Sequence, residues 1–227
     1  MAVTMQELKV LPAFSRLSPL ALEHIAGTAH YLPFAAGFAF YQQGDPPTGL
    51  FSLLSGQVKF YRHSKDKIQI LYVLHEGSTF GAESLPNDMP SPCGAQALTP
   101  GTSIYLPPNE LHKLLLEHPD LLFMQLELVT KQLRQFTSLV HSLAFRDVSA
   151  RLAENLLKLK SYPTKDGFCI ERTFSQQDLA AMVGSAREVV CRTLKKFEKE
   201  GVLRLERSSI IICDLNRLKE IADQEIR

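Results

Sequence analysis

The sequence lacks an excess of either charge, paired cysteines and long apolar runs. Its 227 residues hold 25 lysines and arginines against 24 aspartates and glutamates, a formal net charge of +1. A nucleic-acid-binding protein usually shows a basic excess, so any surface for phosphate must be local. The absence of a Cys-x-x-Cys pair excludes a zinc knuckle or redox pair of recognised spacing. We expect the four cysteines to be reduced, mostly buried thiols: Cys93, Cys169, Cys191 and Cys213.

Membrane segments and catalytic motifs are also missing. No stretch approaches the roughly 20 consecutive apolar residues of a membrane-spanning helix, and the N-terminal segment has no signal-peptide apolar run. We therefore expect a soluble, cytoplasmic protein with no membrane partner. There is no nucleophile and base pairing, metal-ligand cluster or phosphate loop of recognised spacing, so neither an enzyme nor a metal site is predicted.

What is present begins with short strands. After a short helical segment that opens at Ser18-Pro19, residues 31–106 alternate apolar and polar side chains, as in "GLFSLLSGQVKFYRH" and "KIQILYVLHEG". Glycine and proline interrupt the pattern about every dozen residues, which favours an antiparallel barrel or sandwich. The expected turns and hairpin tip are Gly44-Asp45, Ser55-Gly56, Glu76-Gly77 and Lys65-Asp66-Lys67.

A helix with an apolar stripe follows a short helix that should stop at Pro119. The stripe repeats at alternating spacings of four and three over three heptads, which predicts a coiled-coil seam. The alternative is a helix packed on its own domain's core, but polar flanks and a narrow stripe favour a partner helix in a parallel homodimer. The predicted interface consists of Leu122, Leu126, Val129, Leu133, Phe136, Val140 and Leu143.

The last region predicts a helix-turn-helix. "RDVSARLAENLLKLK" is typical of an amphipathic helix, and "DGFCIERTF" and "GVLRLERSSIIICD" are expected to form hairpins. Ser175 stands three residues before Asp178, and Ser185 stands three before Glu188, so each pair predicts a capping box. Gly184 supplies the turn between the two helices. Their packed face should consist of Leu179, Ala180, Val183, Val190, Leu194 and Phe197.

The second of these helices carries side chains suited to DNA. Arg187 and Arg192 can each offer two donors to guanine, and Glu188 can accept from cytosine. Lys195, Lys196 and Lys199 could meet the phosphate backbone. The alternative makes Glu188 a cap and both arginines merely solvated.

The segment "FSQQDLAAMVGSAREVVCRTLKKFEKEGVLRLERSSIII" resembles the winged helix-turn-helix of the cyclic-AMP receptor protein / fumarate-nitrate reduction regulator (CRP/FNR) family. "SLAFRDVSARLAENLLKL" resembles that family's hinge and the helix after it, and the strands resemble its cyclic-nucleotide-type β-roll. The resemblance implies an α+β fold: a β-roll (jelly roll) sensor at 1–118, a dimerisation helix at 119–144, and a winged helix-turn-helix at 145–227.

The same resemblance implies which residues touch DNA. Arg187, Glu188 and Arg192 fall on base-reading positions, and the half-site should resemble TGTGA in a palindromic double-stranded site. An activator is expected, and the loop at residues 163–167 is the segment expected to touch RNA polymerase. The positions expected to contact the DNA backbone are Ser175, Gln176, Gln177, Ser185, Lys195 and Lys196.

The resemblance also removes the family's best-known effector. The Arg-Ser pair that holds the cyclic nucleotide phosphate becomes Ser91-Pro92, and the ribose-binding Glu falls on Ala82. Loss of a buried charge-assisted contact would cost about 1.5–3 kcal/mol, so cyclic AMP is not expected. Another small effector, or none, stays open. An effector would meet Phe80, Gly81, Ala82, Glu83, Ser91, Leu133, Phe136 and Thr137.

The positions of cysteine and histidine bear on two other sensor chemistries. An iron–sulfur cluster is not expected, because no cysteine precedes Cys93. A haem-based sensor of nitric oxide, carbon monoxide or redox state remains an alternative, as does a C-terminal domain that binds protein instead of DNA. The candidate haem ligands are His24, His30, His63, His75, His112, His118 and His141.

Overall fold

The computed structural model describes residues 2–65, 67–81 and 89–226. They form two compact units, Met1–Phe136 and Thr137–Arg227. The boundary between the units falls within the 27-residue helix α4, Pro119–Phe145. The mixture of antiparallel sheets and helices confirms the predicted α+β class. Among the described residues, no helix has both the length and the apolar character needed to cross a membrane.

Within its described residues, the first unit contains three helices, eight strands and the N-terminal part of α4. In chain order the elements before α4 are α1 (Met5–Val10), α2 (Pro19–Thr28), β1 (His30–Phe34), β2 (Ala39–Tyr41), β3 (Leu50–Ser55), β4 (Val58–Ser64), β5 (Lys67–Leu74), β6 (Thr79–Phe80), β7 (Gly94–Ala97), β8 (Gly101–Leu106) and α3 (Pro108–Glu117). The strands form two four-stranded antiparallel sheets, ordered β1-β8-β3-β6 and β2-β7-β4-β5. This is the β-roll that the family resemblance implies, and its two antiparallel sheets agree with the barrel or sandwich that the strand spacing predicts.

Three glycines at the predicted turns have the expected positive φ values. Gly44, Gly56 and Gly77 have φ values of 92°, 91° and 82°, a region where a side chain would be strained. Lys65 has φ 51° between β4 and β5. Asp66, the middle residue of the predicted hairpin tip, lies outside the described residues.

Aromatic rings fill the interior of the roll. The Phe40 ring lies 5.1 Å from the ring of Phe34 and 5.1 Å from that of Phe80, centroid to centroid. Phe80 in turn lies 5.3 Å from Phe51 and 5.6 Å from Phe60. Burial of each ring contributes about 1.5–3 kcal/mol, so this cluster stabilises the contact between the sheets.

A second apolar core lies under the helices of the first unit. Ser18 caps α2 by accepting a hydrogen bond from the Ala21 N–H at 3.3 Å, with Pro19 as the first helical residue, as predicted. Helix α4 contributes Leu121 and Met124 to this core, with exposures of 0% and 5%. One face of α4 therefore packs on its own unit, as in the alternative to the coiled-coil prediction.

The second unit consists of the rest of α4 followed by a helical and sheet domain. Its elements are α5 (Val148–Lys158), β9 (Tyr162–Thr164), β10 (Gly167–Glu171), α6 (Gln176–Val183), α7 (Arg187–Lys199), β11 (Leu203–Leu205), β12 (Ser209–Ile212) and α8 (Leu215–Ala222). The strands form one antiparallel sheet ordered β11-β12-β10-β9. The hairpin of β11 and β12 is the predicted one.

Three details of the second unit differ from expectation. "DGFCIERTF" is not a hairpin by itself, because β10 pairs with β9 before it and with β12 after it. Helix α8, which packs on α5, was not predicted. Of the four thiols expected to be mostly buried, Cys93 and Cys169 are buried, Cys191 is partly buried and Cys213 is the exposed exception.

A polar network joins the end of α4 to α5 within the second unit. Ser142 Oγ donates to Glu154 Oε2 at 2.6 Å, and Arg146 Nη1 lies 3.0 Å from the same oxygen. Lys158 Nζ donates to Glu154 Oε1 at 2.6 Å. Burial raises the pKa of Glu154, but the hydrogen bonds from Lys158 and Ser142 and the positive charges of Lys158 and Arg146 outweigh it, so the pKa lies below its ordinary value.

Candidate nucleic-acid interface

The first helix of the predicted motif, α6, begins at the predicted cap. Ser175 Oγ accepts a hydrogen bond from the Asp178 N–H at 3.0 Å, and the Ser175 N–H donates to Asp178 Oδ2 at 3.1 Å. This reciprocal pair is the predicted capping box, and it fixes the start of α6. Ser175 also donates its hydroxyl proton to Asp178 Oδ2 at 2.7 Å.

The turn after α6 depends on Gly184. This residue is left-handed, with φ 69° and ψ 44°, and its N–H donates to the Ala180 carbonyl. Glycine reaches this conformation without the steric cost that a Cβ would add. Gly184 therefore ends α6 and allows the chain to start α7 three residues later, at Arg187.

The second predicted capping box does not form. Helix α7 begins at Arg187 with Ala186 as its N-cap, and no side chain caps it. Ser185 thus lies one residue before the cap, and Glu188 is the second helical residue instead of the third. Since the box needs the cap and third positions, the Ser185 and Glu188 prediction was wrong by one residue of register. Glu188 is left exposed.

Packing of α6 on α7 determines which side chains face solvent. The six predicted apolar residues are all buried: Leu179, Ala180, Val183, Val190, Leu194 and Phe197. The other faces of α7 present Arg187, Glu188, Arg192, Lys195 and Lys196 to solvent. Burial of one stripe therefore exposes the side chains predicted to read DNA.

Arg187 is oriented by the first helix of the motif. Its Nε and Nη2 atoms donate to Gln176 Oε1 at 3.2 and 3.0 Å, and Cys191 Sγ lies 3.4 Å from the same oxygen. A guanidinium has five N–H donors, so three remain for a base that presents two acceptors. Sequence analysis missed this contact, because it depends on how α6 and α7 cross.

The other predicted base-reading residues are unpaired. Glu188 and Arg192 are exposed and make no hydrogen bond or ion pair with any described residue. Their spacing of four places them on the same side of α7. Lys196 lies 3.9 Å from Glu200. An exposed ion pair of this kind contributes at most about 1 kcal/mol, so Lys196 can exchange this contact for a phosphate.

The hairpin of β11 and β12, which follows α7, carries a paired arginine. Arg204 on β11 donates to Asp166 at 2.7 Å and lies 3.4 Å from Glu206. The hydrogen bond to Asp166 raises the pKa of Arg204 further. The positive charge of Arg204 is therefore partly offset by two neighbouring carboxylates.

Helix α4 exposes the predicted seam. Within the described chain, Leu126, Leu133 and Val140 are 62%, 63% and 66% exposed, values that are unusual for large apolar side chains. Leu122, Val129 and Leu143 are also exposed, while Phe136 is half-buried with its ring 5.7 Å from that of Tyr72.

The residues predicted to hold an effector differ widely in solvent exposure. Phe80 is 1% exposed within the aromatic cluster, whereas Leu133 and Thr137 are exposed on α4. Ser91 is buried, and its N–H donates to the Asp45 carbonyl at 2.8 Å. Gly81 has φ 97° and could not carry a Cβ, which would lie 2.2 Å from the Gly49 carbonyl oxygen. Ala82 and Glu83 lie outside the described residues.

The first unit contains a small cavity. Its volume is about 160 Å³, below the roughly 300–1,000 Å³ of most ligand pockets. None of the described residues predicted for the effector lines it. The lining consists of Pro12, Ala13, Tyr72, Leu74, Gly77, Ser78, Thr79, Met124, Glu127, Leu128, Lys131, Gln132 and Gln135.

Two domain families match parts of the sequence. Residues 31–118 match the cyclic nucleotide-binding domain, and residues 150–221 match the Crp-like helix-turn-helix domain. The first range ends at the end of α3, and the second runs from α5 into α8. Together they cover the β-roll and the helix-turn-helix described above.

Known proteins with similar sequences or structures include transcriptional regulators. The global nitrogen regulator of Synechocystis is 31% identical over 176 residues, 74% of this chain and 78% of its own length. A CRP-like cAMP-activated global transcriptional regulator of Mycobacterium tuberculosis is 27% identical over 209 residues, 90% of this chain and 93% of its own. The crystal structure of a putative transcriptional regulator from Eubacterium rectale has the same fold, with a TM-score of 0.76 at 20% identity, covering 94% of this chain and 98% of that one. The chain therefore belongs to the CRP/FNR family of transcriptional regulators and carries that family's helix-turn-helix DNA-binding domain.

Proposed function

We propose that this regulator binds a palindromic, TGTGA-like site as a homodimer and acts as an activator. The observation that carries the proposal is the exposed side of α7, where Glu188 and Arg192 have no partner among the described residues. Arginine recognises guanine through two acceptors, and glutamate accepts from cytosine N4. A TGTGA half-site and its complement offer both bases.

In this proposal Gln176 orients Arg187 for base reading. The two hydrogen bonds to Gln176 Oε1 restrict the rotation of the guanidinium while leaving three donors. Restricting a long side chain before binding reduces the entropy lost on binding. Gln177, Ser185, Lys195 and Lys196 would contact phosphates, as would the capped start of α6 at Ser175.

The exposed seam of α4 supports the homodimer. A row of apolar side chains that are mostly exposed is the feature that a parallel partner helix would cover. A two-fold dimer would present two copies of α7, which matches the symmetry of a palindrome. We propose the divisions 1–118 for the sensor domain, 119–144 for the dimerisation helix and 145–227 for the DNA-binding domain.

We further propose that the effector is not cyclic AMP. The relative from Mycobacterium tuberculosis is described as cAMP-activated, but this chain has Ser91-Pro92 where the phosphate-binding Arg-Ser pair is expected. Ser91 is buried with its N–H already donated to Asp45. Pro92 has no N–H to donate. Neither Ser91 nor Pro92 carries the positive charge that an arginine would offer the phosphate.

Selection from random duplexes tests the proposed site. The purified protein, without added nucleotide, should enrich a palindrome with TGTGA-like halves, and its affinity should fall steeply with salt. Enrichment of no sequence, or of a site without two-fold symmetry, would contradict the proposal. Transcription from a promoter carrying the selected site should rise when the protein is added; a fall would reverse the activator assignment.

A titration on the selected palindrome, with and without cyclic AMP, tests the effector proposal. Equal affinity in both conditions is expected. A tenfold or greater increase in affinity with cyclic AMP would overturn the interpretation of Ser91-Pro92.

A further inference from the structure

A cluster of metal-ligand side chains lies away from the DNA-binding surface, within the first unit. His24 is on α2, Glu117 is the last residue of α3, and His118 caps the end of α3. His24 Nδ1 lies 2.9 Å from His118 Nε2 and 3.9 Å from Glu117 Oε2. One ligand atom from each residue lies within 4.8 Å of the other two.

The spacing fits a single small cation. Two ligand atoms bound to one Zn²⁺ at about 2.0–2.1 Å and at a tetrahedral angle lie about 3.4 Å apart. The observed separations of 2.9 and 3.9 Å bracket this value. Glu117 is 61% exposed at a helix end, so a change of rotamer can bring its carboxylate closer.

The donor types select a class of metal. Two imidazole nitrogens and one carboxylate oxygen suit Zn²⁺ and the neighbouring divalent transition metals, while Mg²⁺ and Ca²⁺ prefer oxygen ligands. Three protein ligands leave a fourth position for water. His118 is buried at 6% exposure, whereas the His24 side chain is 43% exposed. His118 is therefore the buried ligand of the cluster, and His24 is its solvent-exposed ligand.

The position of His118 gives the cluster a structural consequence. The His118 N–H donates to the Leu114 carbonyl at 2.9 Å, and its own carbonyl accepts from the Leu121 N–H at 3.0 Å. His118 is thus the joint between α3 and α4. Asp120, in the first turn of α4, already accepts a hydrogen bond from the Ser18 N–H before α2 at 2.7 Å. A metal ion would add a second link from α2 to this joint.

We propose that His24, Glu117 and His118 bind one divalent transition-metal ion of the Zn²⁺ class and so fasten α2 to the joint between α3 and α4. His24 Nδ1 and His118 Nε2 would both bind the ion as unprotonated nitrogens, so each neutral ring would carry its proton on the other nitrogen, His24 Nε2 and His118 Nδ1. The proposal is independent of the DNA-binding proposal, because every residue in it belongs to the first unit.

Calorimetric titration of the full chain with Zn²⁺ tests the proposal. Any purification tag is removed, and a Cys213→Ser background excludes binding at that exposed thiol. We expect one ion per chain and a higher melting temperature with Zn²⁺ than without. Co²⁺ should show the intense visible absorption of four-coordinate cobalt.

Three variants make the test specific. His24→Ala and Glu117→Gln, both at partly exposed side chains, should each weaken Zn²⁺ binding by at least about tenfold. His112→Ala removes an exposed histidine of the same helix α3 and should leave binding unchanged. Circular dichroism checks that each variant folds.

Three outcomes would overturn the assignment. Absence of Zn²⁺ binding, or equal affinity in the parent and His24→Ala, would leave His24 and His118 as a plain hydrogen-bonded pair. Unchanged affinity in Glu117→Gln would remove the third ligand and with it the proposed site. The result does not depend on DNA, so it can fail while the proposed DNA recognition holds.

Discussion

Replacement of Glu154 by Gln should destabilise the second unit markedly. The Glu154 carboxylate is 14% exposed and contacts Ser142, Arg146 and Lys158. Arg146, only 17% exposed, would be left with an uncompensated charge. Breaking a buried pair in this way costs about 3–5 kcal/mol; since Gln keeps the shape and one acceptor, we expect the lower end, about 3 kcal/mol.

Hydrogen exchange measured by mass spectrometry can test this magnitude. A loss of about 3 kcal/mol corresponds to roughly 150-fold faster exchange of amides that open with α5. Glu220→Gln breaks an exposed pair with Arg217 and serves as the control, with an expected loss below about 1 kcal/mol. If exchange in α5 accelerates equally in the two variants, the network does not stabilise this unit.

The same network predicts a pH dependence. Because the pKa of Glu154 is lower in the folded protein than its ordinary value of 4.5, the carboxylate contributes stability above that pH. This contribution is lost as the pH falls from 4.5 through the folded-state pKa. Glu154→Gln should lack this part of the acid sensitivity, and identical acid profiles for both proteins would contradict the assignment.

Two further predictions concern the dimer and the orientation of Arg187. Leu126→Glu should convert the dimer to a monomer in sedimentation, because two like charges would meet across the seam. The control Leu116→Glu, at an exposed leucine of α3, should leave the dimer intact. A dimer retained by Leu126→Glu would refute the seam. Gln176→Ala should broaden base choice at the position read by Arg187 and weaken binding about fivefold, since the guanidinium loses its acceptor. Unchanged base choice in a binding titration would show that Arg187 needs no such support.

Periodicity predicted the helical surfaces of this protein well. The apolar stripe of α7, with Val190, Leu194 and Phe197, is buried because a 3.6-residue period places these side chains on one face. The seam of α4 is exposed for the same reason. Here the helix also packs Leu121 and Met124 on its own core, so it combines both arrangements that the pattern allowed.

Features that depend on one residue of register or on long-range contacts were not predictable. Ser185 and Ala186 compete for the cap of α7, and the sequence cannot decide between neighbours. Asp214 caps α8 by accepting from the Arg217 N–H at 2.8 Å, a signal present in the sequence but assigned to the end of a hairpin. His24 and His118 are 94 residues apart, so only the packing of α2 and α3 reveals that their nitrogens meet.

The central claim is that Arg192 reads a base. Combining one substitution in the protein with one substitution in the DNA tests this claim most directly. Parent and Arg192→Ala proteins are titrated against the selected palindrome and against a palindrome with the contacted guanine replaced, with Arg217→Ala as a control for loss of an exposed arginine. We expect Arg192→Ala to weaken binding by about 1–3 kcal/mol on the first duplex and little on the second, and Arg217→Ala to change binding to neither. An equal loss on both duplexes would make Arg192 a phosphate contact, and no loss on either would remove it from the interface.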